Sequence, residues 1–569
     1  MTARAPYWIE ADLSSAVAIG EFECVPLGDR GLPADTTTML RDAAATDPSG
    51  PAIVYLPEVD GDPTVLSKAE LLERVVALGG YLHANGVGVD DRVALLMPTV
   101  PEAYFATWGV QAAAIALPVN WMLEPFAVAE LLRAAGVSVV IAHAGPEEPQ
   151  IAATTVAAIR EVPGVRLVLT VGGTLDDLPE GVEQVAFEEA LAAGHDRLPP
   201  SDPARIAALL MTGGTTGLPK LARHTHAGWV FSAWSSALMV GFGPGDVRLC
   251  ATPTFHVLGI LNGPFASIAA GGSIVLPSAH GWRGRGVIEG VFRLVERHRI
   301  THLPLLPTII GQVAAGARPD ADLAVLRVVS SGSAPLSVAV AKRFEDLVGA
   351  PVVEGYGLTE TYGVTTMNPY DGIVKHGSVG IRFPYQQVRV LRDRTDPASP
   401  AVPGETGEIV FRGPGVFDGY DGRASDTLPG DWIATGDLGS LDDDGYLWIT
   451  GRSKDLIIRG GHNIDPAPIE EAFHTHPQVI AAAVVGQPDP YAGELPVAFV
   501  QLAEPVGVDE LLAHVAARTP ERAAIPKAIY VVDEIPRSSV GKMRKDQLRA
   551  RAAEIATESA SHRSPKENS

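Results

Sequence analysis

Five short segments carry residue types whose spacing suits chemistry on a nucleotide. Thr212-Gly-Gly-Thr-Thr-Gly-Leu-Pro-Lys220 follows the strand-like AALLM. Its Thr212, Gly213, Gly214, Thr215, Thr216 and Gly217 offer backbone N–H groups and hydroxyls, and Lys220 a cation, a set that fits a phosphate chain. The spacing is not that of a Walker A loop, and a plain strand–helix turn explains the same composition. Glu354-Gly-Tyr-Gly-Leu-Thr-Glu-Thr361 follows another strand. There the Tyr356 ring can stack on a base, Thr359 can reach a phosphate oxygen, and Glu360 can hold Mg²⁺ through hard oxygen ligation. Trp432-Ile-Ala-Thr-Gly-Asp437 and Gly451-Arg452-Ser-Lys-Asp455 supply an acid and a base suited to ribose hydroxyls. Pro536-Arg-Ser-Ser-Val-Gly-Lys542 puts one lysine beyond a glycine-flexible loop. Taken alone, Lys542 reads as a solvated lysine at a helix start.

Other clusters carry less. His224-Thr-His226 and His474-Thr-His476 have alternate histidines but no third ligand nearby, and read as structural. Gly284-Arg-Gly286 lacks the third glycine of a dinucleotide fingerprint. There is no G-x-S-x-G elbow and no H-E-x-x-H, so hydrolase and zinc-protease chemistry has no support. The aromatic residues of GWVFSAWSS sit at helical spacing and read as core.

The elements that must hold these segments are legible as three textures. RVALLMP from Arg92, helical YFATWGVQAAAIALP, helical FAVAELLRAAG and SVVIAHA from Ser138 alternate strand and helix patterns. RIAALLMTGG, GSIVLPS and LRVVSSGS continue the alternation, which predicts parallel-rich sheets covered by helices on both faces. Beyond about residue 385 the chain turns glycine-dense and β-rich, as in QQVRVL and GEIVFRGPG. From Gly451 a hairpin-like YLWITGRSKDLIIRGG leads into helix IEEAFHTH, strands AAAVVG and PVAFVQL, helix VDELLAHVAAR, strand AIYVVDEI and a basic terminal helix. The fold class expected is α/β: a large N-terminal domain with a small β-rich subdomain, followed by a small, mobile α+β C-terminal domain. The boundaries expected are 1–451 for the large domain, with the subdomain at about 385–451, then a hinge at 452–455. The small domain follows at 456–569, with a flexible tail from about 557.

The chain has 569 residues, too many for one compact unit, and its 46% hydrophobic and 20% charged residues exclude a disordered or fibrous class. A net charge of −23 repels phosphate backbones and anionic lipid, arguing against nucleic acid and membrane surfaces. Glu10 and Asp12 stand where a signal peptide would need its apolar stretch. The charge-free stretches Ala103–Leu123 and Leu249–Trp282 read as buried pieces of a core; the second is broken by Pro253, Pro264, Pro277 and Gly271-Gly272. Two cysteines, Cys24 and Cys250, make no disulfide framework and fit a reducing cytoplasm.

Together and in this order, from about Leu66 to the terminal helix, the segments resemble the adenylate-forming superfamily. Its AMP-forming fatty-acid and aryl-acid CoA ligases are the nearest in look. The resemblance implies that Thr212 to Lys220 hold the β- and γ-phosphates and then the pyrophosphate. Gly332, Ser333, Ala334 and Pro335 of SGSAPL would line the adenine. Tyr356 would lie beside it within Glu354, Gly355 and Gly357, with Thr359 on the α-phosphate and Glu360 on magnesium. Asp437 and Arg452 match the ribose pair, Lys454 the hinge, and Lys542 the catalytic lysine. Phe255 and His256 match the acid pocket, where His256 stands at the gating aromatic. Gly460 and Gly461 match the loop bordering the CoA tunnel. Gly213 replaces a common hydroxyl residue, and Pro468 replaces a common glutamate at a helix start, where proline is tolerated.

The activity this implies uses ATP, Mg²⁺ and CoA. A carboxylic acid becomes acyl-AMP with release of pyrophosphate, and the acyl group then passes to the CoA thiol. A carrier-protein thiol, an amine or another nucleophile as acceptor shares the same motifs. A non-catalytic nucleotide-binding protein on this fold is the third reading, opposed by the intact Glu360, Asp437, Arg452 and Lys542. No acid stands near Phe255 before Glu289 to anchor an ammonium, so an apolar aliphatic or aromatic acid fits better than an α-amino acid. Whether the chain works alone or as a dimer is left open.

Overall fold

The computed structural model describes residues 5–212, 219–314, 320–393, 396–423, 427–452, 455–459, 462–489, 492–519, 522–538 and 543–561. Four sheets organise them. The seven-stranded sheet runs, edge to edge, Glu183–Ala186, Leu167–Val171, Val139–His143, Arg92–Leu96, Ile115–Pro118, Ile206–Met211 and Leu221–Thr225. Its pairs are parallel except the last. The VVIAH strand is buried at every position, as a strand covered on both faces must be.

The nine-stranded sheet runs Ile381–Arg382, Gly363–Met367, Val352–Leu358, Val328–Ser331, His302–Leu305, Val247–Leu249, Ser273–Leu276, Pro51–Tyr55 and Thr64–Ser67. It is parallel through its centre and antiparallel at both edges. Helices Pro101–Ala113 and His226–Met239 are apolar nearly all round and almost wholly buried. Trp229, Phe231 and Trp234 of the second join the main core, as their spacing predicts. Helix Lys68–Ala84 is fixed at its start by a reciprocal capping box between Ser67 and Glu70.

A four-stranded antiparallel sheet follows: Gln387–Leu391, Gly407–Arg412, Ile433–Leu441 and Leu447–Arg452. The smaller C-terminal unit has five strands, with Val479–Asp489 and Gly493–Leu502 as its long central hairpin. Helices Ala467–His474, Val508–Ala516 and Lys545–Ser561 accompany it. Its two sides carry separate apolar clusters, one around Phe473 and one around Phe499. Among the described residues no helix is long and apolar enough to cross a membrane.

Three local expectations change. The helical pattern after Arg92 stops at Ala113, and IALP becomes strand Ile115–Pro118, because Pro118 and the β-branched start favour pairing with Arg92–Leu96. The described ends of the phosphate-loop segment do not join a strand to a helix; they lie in an antiparallel pair, with Met211 opposite Leu221 and Thr212 N–H donating to the Lys220 carbonyl at 2.9 Å. YLWIT and the described Ile457–Arg459 do not pair. Leu447–Arg452 completes the four-stranded sheet, whereas Ile457–Arg459 pairs with His462–Ile464 in the C-terminal unit.

Candidate active site

One cavity of about 1090 Å³ lies where these sheets meet. Thr212 and Lys220 reach it from the hairpin, and Gly332, Ser333, Ala334 and Pro335 from the turn after strand Val328–Ser331. Glu354, Gly355, Tyr356 and Gly357 line it from strand Val352–Leu358, and Thr359 and Glu360 from the 3₁₀ turn that follows. Asp437 lines it from the four-stranded sheet, and Phe255 and His256 from a separate loop. Gly213, Gly214, Thr215, Thr216, Gly217, Lys454, Gly460, Gly461 and Lys542 lie outside the described residues, as does the side chain of Arg452.

The geometry is held by specific bonds. Tyr356 Oη donates to Asp437 Oδ2 at 2.6 Å, and Asp437 is buried. Asp437 and Arg452 face each other directly across the antiparallel pair Ile433–Leu441 and Leu447–Arg452, so the sheet register brings the two residues together. Ser333 has φ 70°, a left-handed backbone state that favours glycine; such strain persists where the surroundings fix it. A Cβ at Gly357 would stand 1.7 Å from the Gly363 carbonyl oxygen, so only glycine lets these strands approach so closely.

Glu360 Oε1 accepts from Tyr420 Oη at 2.5 Å, and Lys220 Nζ lies 4.5 Å from the Tyr420 ring centroid. Tyr420 therefore sits between the hairpin's lysine and the carboxylate. Sequence reasoning missed it; a lone tyrosine in the GY dipeptide of a loop gives no periodic signal. His224, read as structural from the sequence, has a buried ring that bonds the Thr359 carbonyl through Nε2 at 2.8 Å. Burial pushes its pKa down to about 3, so the ring is neutral, and the carbonyl partner assigns its proton to Nε2. Burial likewise lowers His226 and His474 to about 4, the second also through neighbouring Arg537 and Arg343. Burial raises the Glu354 carboxyl to about 7, against bonds from the Gly377 and Leu336 N–H groups.

Among the described residues no group of three or more His, Cys, Asp or Glu side chains could hold a metal by itself. Glu360, an anchored carboxylate at the cavity wall, fits a hard cation that takes its other ligands from phosphate and water. On the side of the C-terminal unit, Ser538 and Met543, which bracket Lys542 in sequence, both line the cavity. So do Asp465, Glu470 and Lys545 of the same unit, with Lys545 Nζ 2.7 Å from Glu470 Oε1. Ser337 Oγ, at the start of helix Val338–Val348, donates to Glu471 Oε1 of that unit at 3.1 Å.

Comparison with known proteins shows the family. Residues 40–421 match the AMP-binding enzyme family, and residues 468–542 the AMP-binding enzyme C-terminal domain. The chain is 33% identical over 558 residues to marinolic acid–CoA ligase of Pseudoalteromonas sp. (strain SANK 73390), covering 93% of this chain and 83% of that protein. It is 34% identical over 505 residues to feruloyl-CoA synthase of Amycolatopsis sp., covering 86% and 94%. The crystal structure of ATP-bound MatB from Rhodopseudomonas palustris superposes with a TM-score of 0.79 at 28% identity, covering 92% of this chain and 99% of that one. The chain belongs to the AMP-binding enzyme family and is an AMP-forming ligase of the acyl-CoA synthetase type.

Proposed function

We propose that the cavity binds ATP with its phosphates at the Thr212–Lys220 hairpin and its nucleoside between Ser333, Tyr356 and Asp437. The observation that carries this is convergence: residues from the hairpin, the Thr359–Glu360 turn, the Ser333 turn and Asp437 share one cavity. The acid lies towards Phe255 and His256. Its carboxylate, ionised at pH 7, attacks the α-phosphorus without a general base, giving acyl-AMP and pyrophosphate. The CoA thiol then attacks the acyl carbonyl, giving acyl-CoA and AMP.

Thr359, whose carbonyl His224 holds, would contact the α-phosphate, and Lys220 and Lys542 would neutralise the charge that gathers on the non-bridging oxygens. Asp437 and Arg452 hold the ribose hydroxyls, and Glu354, Gly355 and Gly357 shape the wall beside the base. Glu360 would hold Mg²⁺, which neutralises phosphate charge when bound. Ser538 and Met543 at the cavity support an orientation of the small unit suited to the first step. The second step requires Gly460 and Gly461 in that place, through rotation about Lys454. We take 1–451 as the large domain, 452–455 as the hinge and 456–569 as the small domain. The four-stranded sheet ends at Arg452, and the next strand, Ile457–Arg459, already belongs to the C-terminal sheet. The cytoplasm is the compartment proposed, supported by Cys24 and Cys250 being free.

A panel of carboxylic acids scored by ATP–pyrophosphate exchange, with and without CoA, followed by product mass, tests the reading. Acid-dependent exchange and a CoA thioester are expected. Absence of acid-dependent exchange overturns it, and an adenylate that never reaches CoA moves the acceptor to a carrier-protein thiol or an amine.

A further inference from the structure

The cavity wall formed by the strand that precedes the Phe255–His256 loop contains a charge that forms no ion pair among the described residues. Arg248, on the short strand Val247–Leu249, is buried and lines the cavity. Its Nη1 donates to the Asn262 carbonyl at 2.7 Å, and its guanidinium carbon lies 4.8 Å from the Phe242 ring centroid. Among the described residues it makes no ion pair. Asp246, two residues away, is engaged by Arg327 at 3.1 Å and faces His302 at 4.0 Å. The carboxylates of the nucleotide side are occupied too: Asp437 by Tyr356, Glu360 by Tyr420, and Glu354 by the Gly377 N–H.

The surroundings of Arg248 are polar in a way an all-hydrocarbon pocket would not require. Asn262 sits in the π-helical turn Leu258–Phe265, a wide turn that often marks a functional position. Its Nδ2 donates to Ser232 at 3.1 Å and to Ser236 at 3.0 Å, while its buried Oδ1 has no partner. Asn262 and Ser236 both line the cavity beside Arg248. A Cβ at Gly263 would stand 3.6 Å from Cys250 Sγ and 4.0 Å from Arg248 Cδ, which puts these groups around one spot. Buried charges are paired, or are placed where a ligand completes them. A guanidinium presents a planar fork that matches a carboxylate, and one N–H given to the Asn262 carbonyl leaves the others for it.

We propose that Arg248 receives a second carboxylate at the far end of the acid, so that the preferred substrates are dicarboxylic acids whose two acid groups are separated by an apolar spacer. This rests on the ligase reading above. The spacer would lie along Val257, Leu258, Val364 and Met367, which line the same cavity. Cys250, buried with its thiol pushed up to about 12, stays a neutral neighbour.

The test compares α,ω-dicarboxylic acids with monocarboxylic acids and ω-amides of matched chain length, by kcat/KM for CoA-dependent pyrophosphate release. Wild type, Arg248→Met and Arg248→Lys are assayed side by side. Methionine is apolar and of similar length, so the melting temperature should hold or rise; Arg248→Lys keeps the charge without the fork. Wild type should favour the best diacid over its matched monoacid by about tenfold or more, the size of a lost charged hydrogen bond. Arg248→Met should abolish or reverse that preference, and Arg248→Lys should keep part of it. A preference for monoacids in wild type, or a diacid preference unchanged in Arg248→Met, overturns the proposal while leaving the ligase reading intact. Equal use of ω-amides and diacids overturns the anionic assignment. Failure of every acid to release pyrophosphate sinks the ligase reading itself.

Discussion

The Tyr356 hydroxyl donates to Asp437 Oδ2 at 2.6 Å, joining strand Val352–Leu358 of the nine-stranded sheet to Ile433–Leu441 of the four-stranded one. If Tyr356 packs on the base and Asp437 holds the ribose, one bond sets the distance between the two contacts. Tyr356→Phe keeps the ring and removes the hydroxyl that makes this bond. The KM for ATP should rise about three- to tenfold with little change in kcat, the cost of one hydrogen bond to a charged acceptor. ATP-dependence of pyrophosphate exchange checks this, and an unchanged KM would separate Tyr356 from ribose positioning.

The Tyr420–Glu360 bond gives a second expectation. Glu360→Gln should raise the Mg²⁺ concentration needed for half-maximal exchange and lower turnover, because a neutral amide is a poor hard-cation ligand. Tyr420→Phe should shift the same Mg²⁺ titration by a smaller amount, since it frees the carboxylate without removing it. If Glu360→Gln leaves both the titration and turnover unchanged, Glu360 is structural.

His224 ties the hairpin to the catalytic turn through Thr359, and its acidity makes that tie testable. Its folded pKa of about 3 lies below the ordinary histidine value of 6.5, so the unfolded chain binds the proton first. The stability it contributes is full above pH 6.5 and is lost as pH falls towards 3. His224→Phe should lose less stability than wild type between neutral and acid pH in denaturant titrations. At neutral pH its exchange activity should fall about tenfold, as Thr359 loses its support. A variant with wild-type acid sensitivity and full activity would contradict both roles.

How far the sequence carried this picture depends on the kind of signal. Val139–His143 and its neighbours were legible because continuously buried strands leave β-branched runs. The motif residues were picked out by their order along the chain, and those described, such as Ser333, Tyr356 and Thr359, lie on strand ends and turns. Partners distant in sequence were not legible. Tyr420 meets Glu360 across 60 positions, and His224 meets Thr359 across 135, so no window contains both ends. Arg248 was hidden for another reason: an arginine on a three-residue strand reads as an edge residue until the neighbouring strands bury it. The IALP and YLWIT segments were misread because short apolar runs fit helix, hairpin or sheet equally well, and only their pairing partners decide.

Glu354 supplies a prediction of opposite sign. Burial raises its folded pKa to about 7 from 4.5, so the folded chain holds the proton longer. The stability from the protonated form is full below pH 4.5 and is lost as pH rises through 7. Glu354→Gln cannot ionise, so its stability relative to wild type should grow between pH 5 and 8, to at most about 3 kcal/mol, and then level off. Denaturant midpoints for both proteins across that range check it, and a constant difference would mean that the carboxyl is already ionised at acid pH.

The last prediction concerns the contact between the two parts of the chain. Ser337 Oγ donates to Glu471 Oε1 at 3.1 Å, and Ser538 and Met543 line the cavity in the same arrangement. If this arrangement serves adenylate formation, weakening the contact should disfavour that half-reaction alone. Glu471→Ala removes one part-buried bond, worth about 1 kcal/mol, which shifts a two-state equilibrium roughly fivefold. ATP–pyrophosphate exchange should then slow by up to that factor, while thioester formation from supplied acyl-AMP holds or quickens. Lys542→Ala should separate the half-reactions more sharply, with adenylation falling on the order of 10²–10³-fold and transfer much less affected. Equal losses in both half-reactions for both variants would mean that one arrangement serves the whole cycle, and the hinge at Lys454 would then have no catalytic work to do.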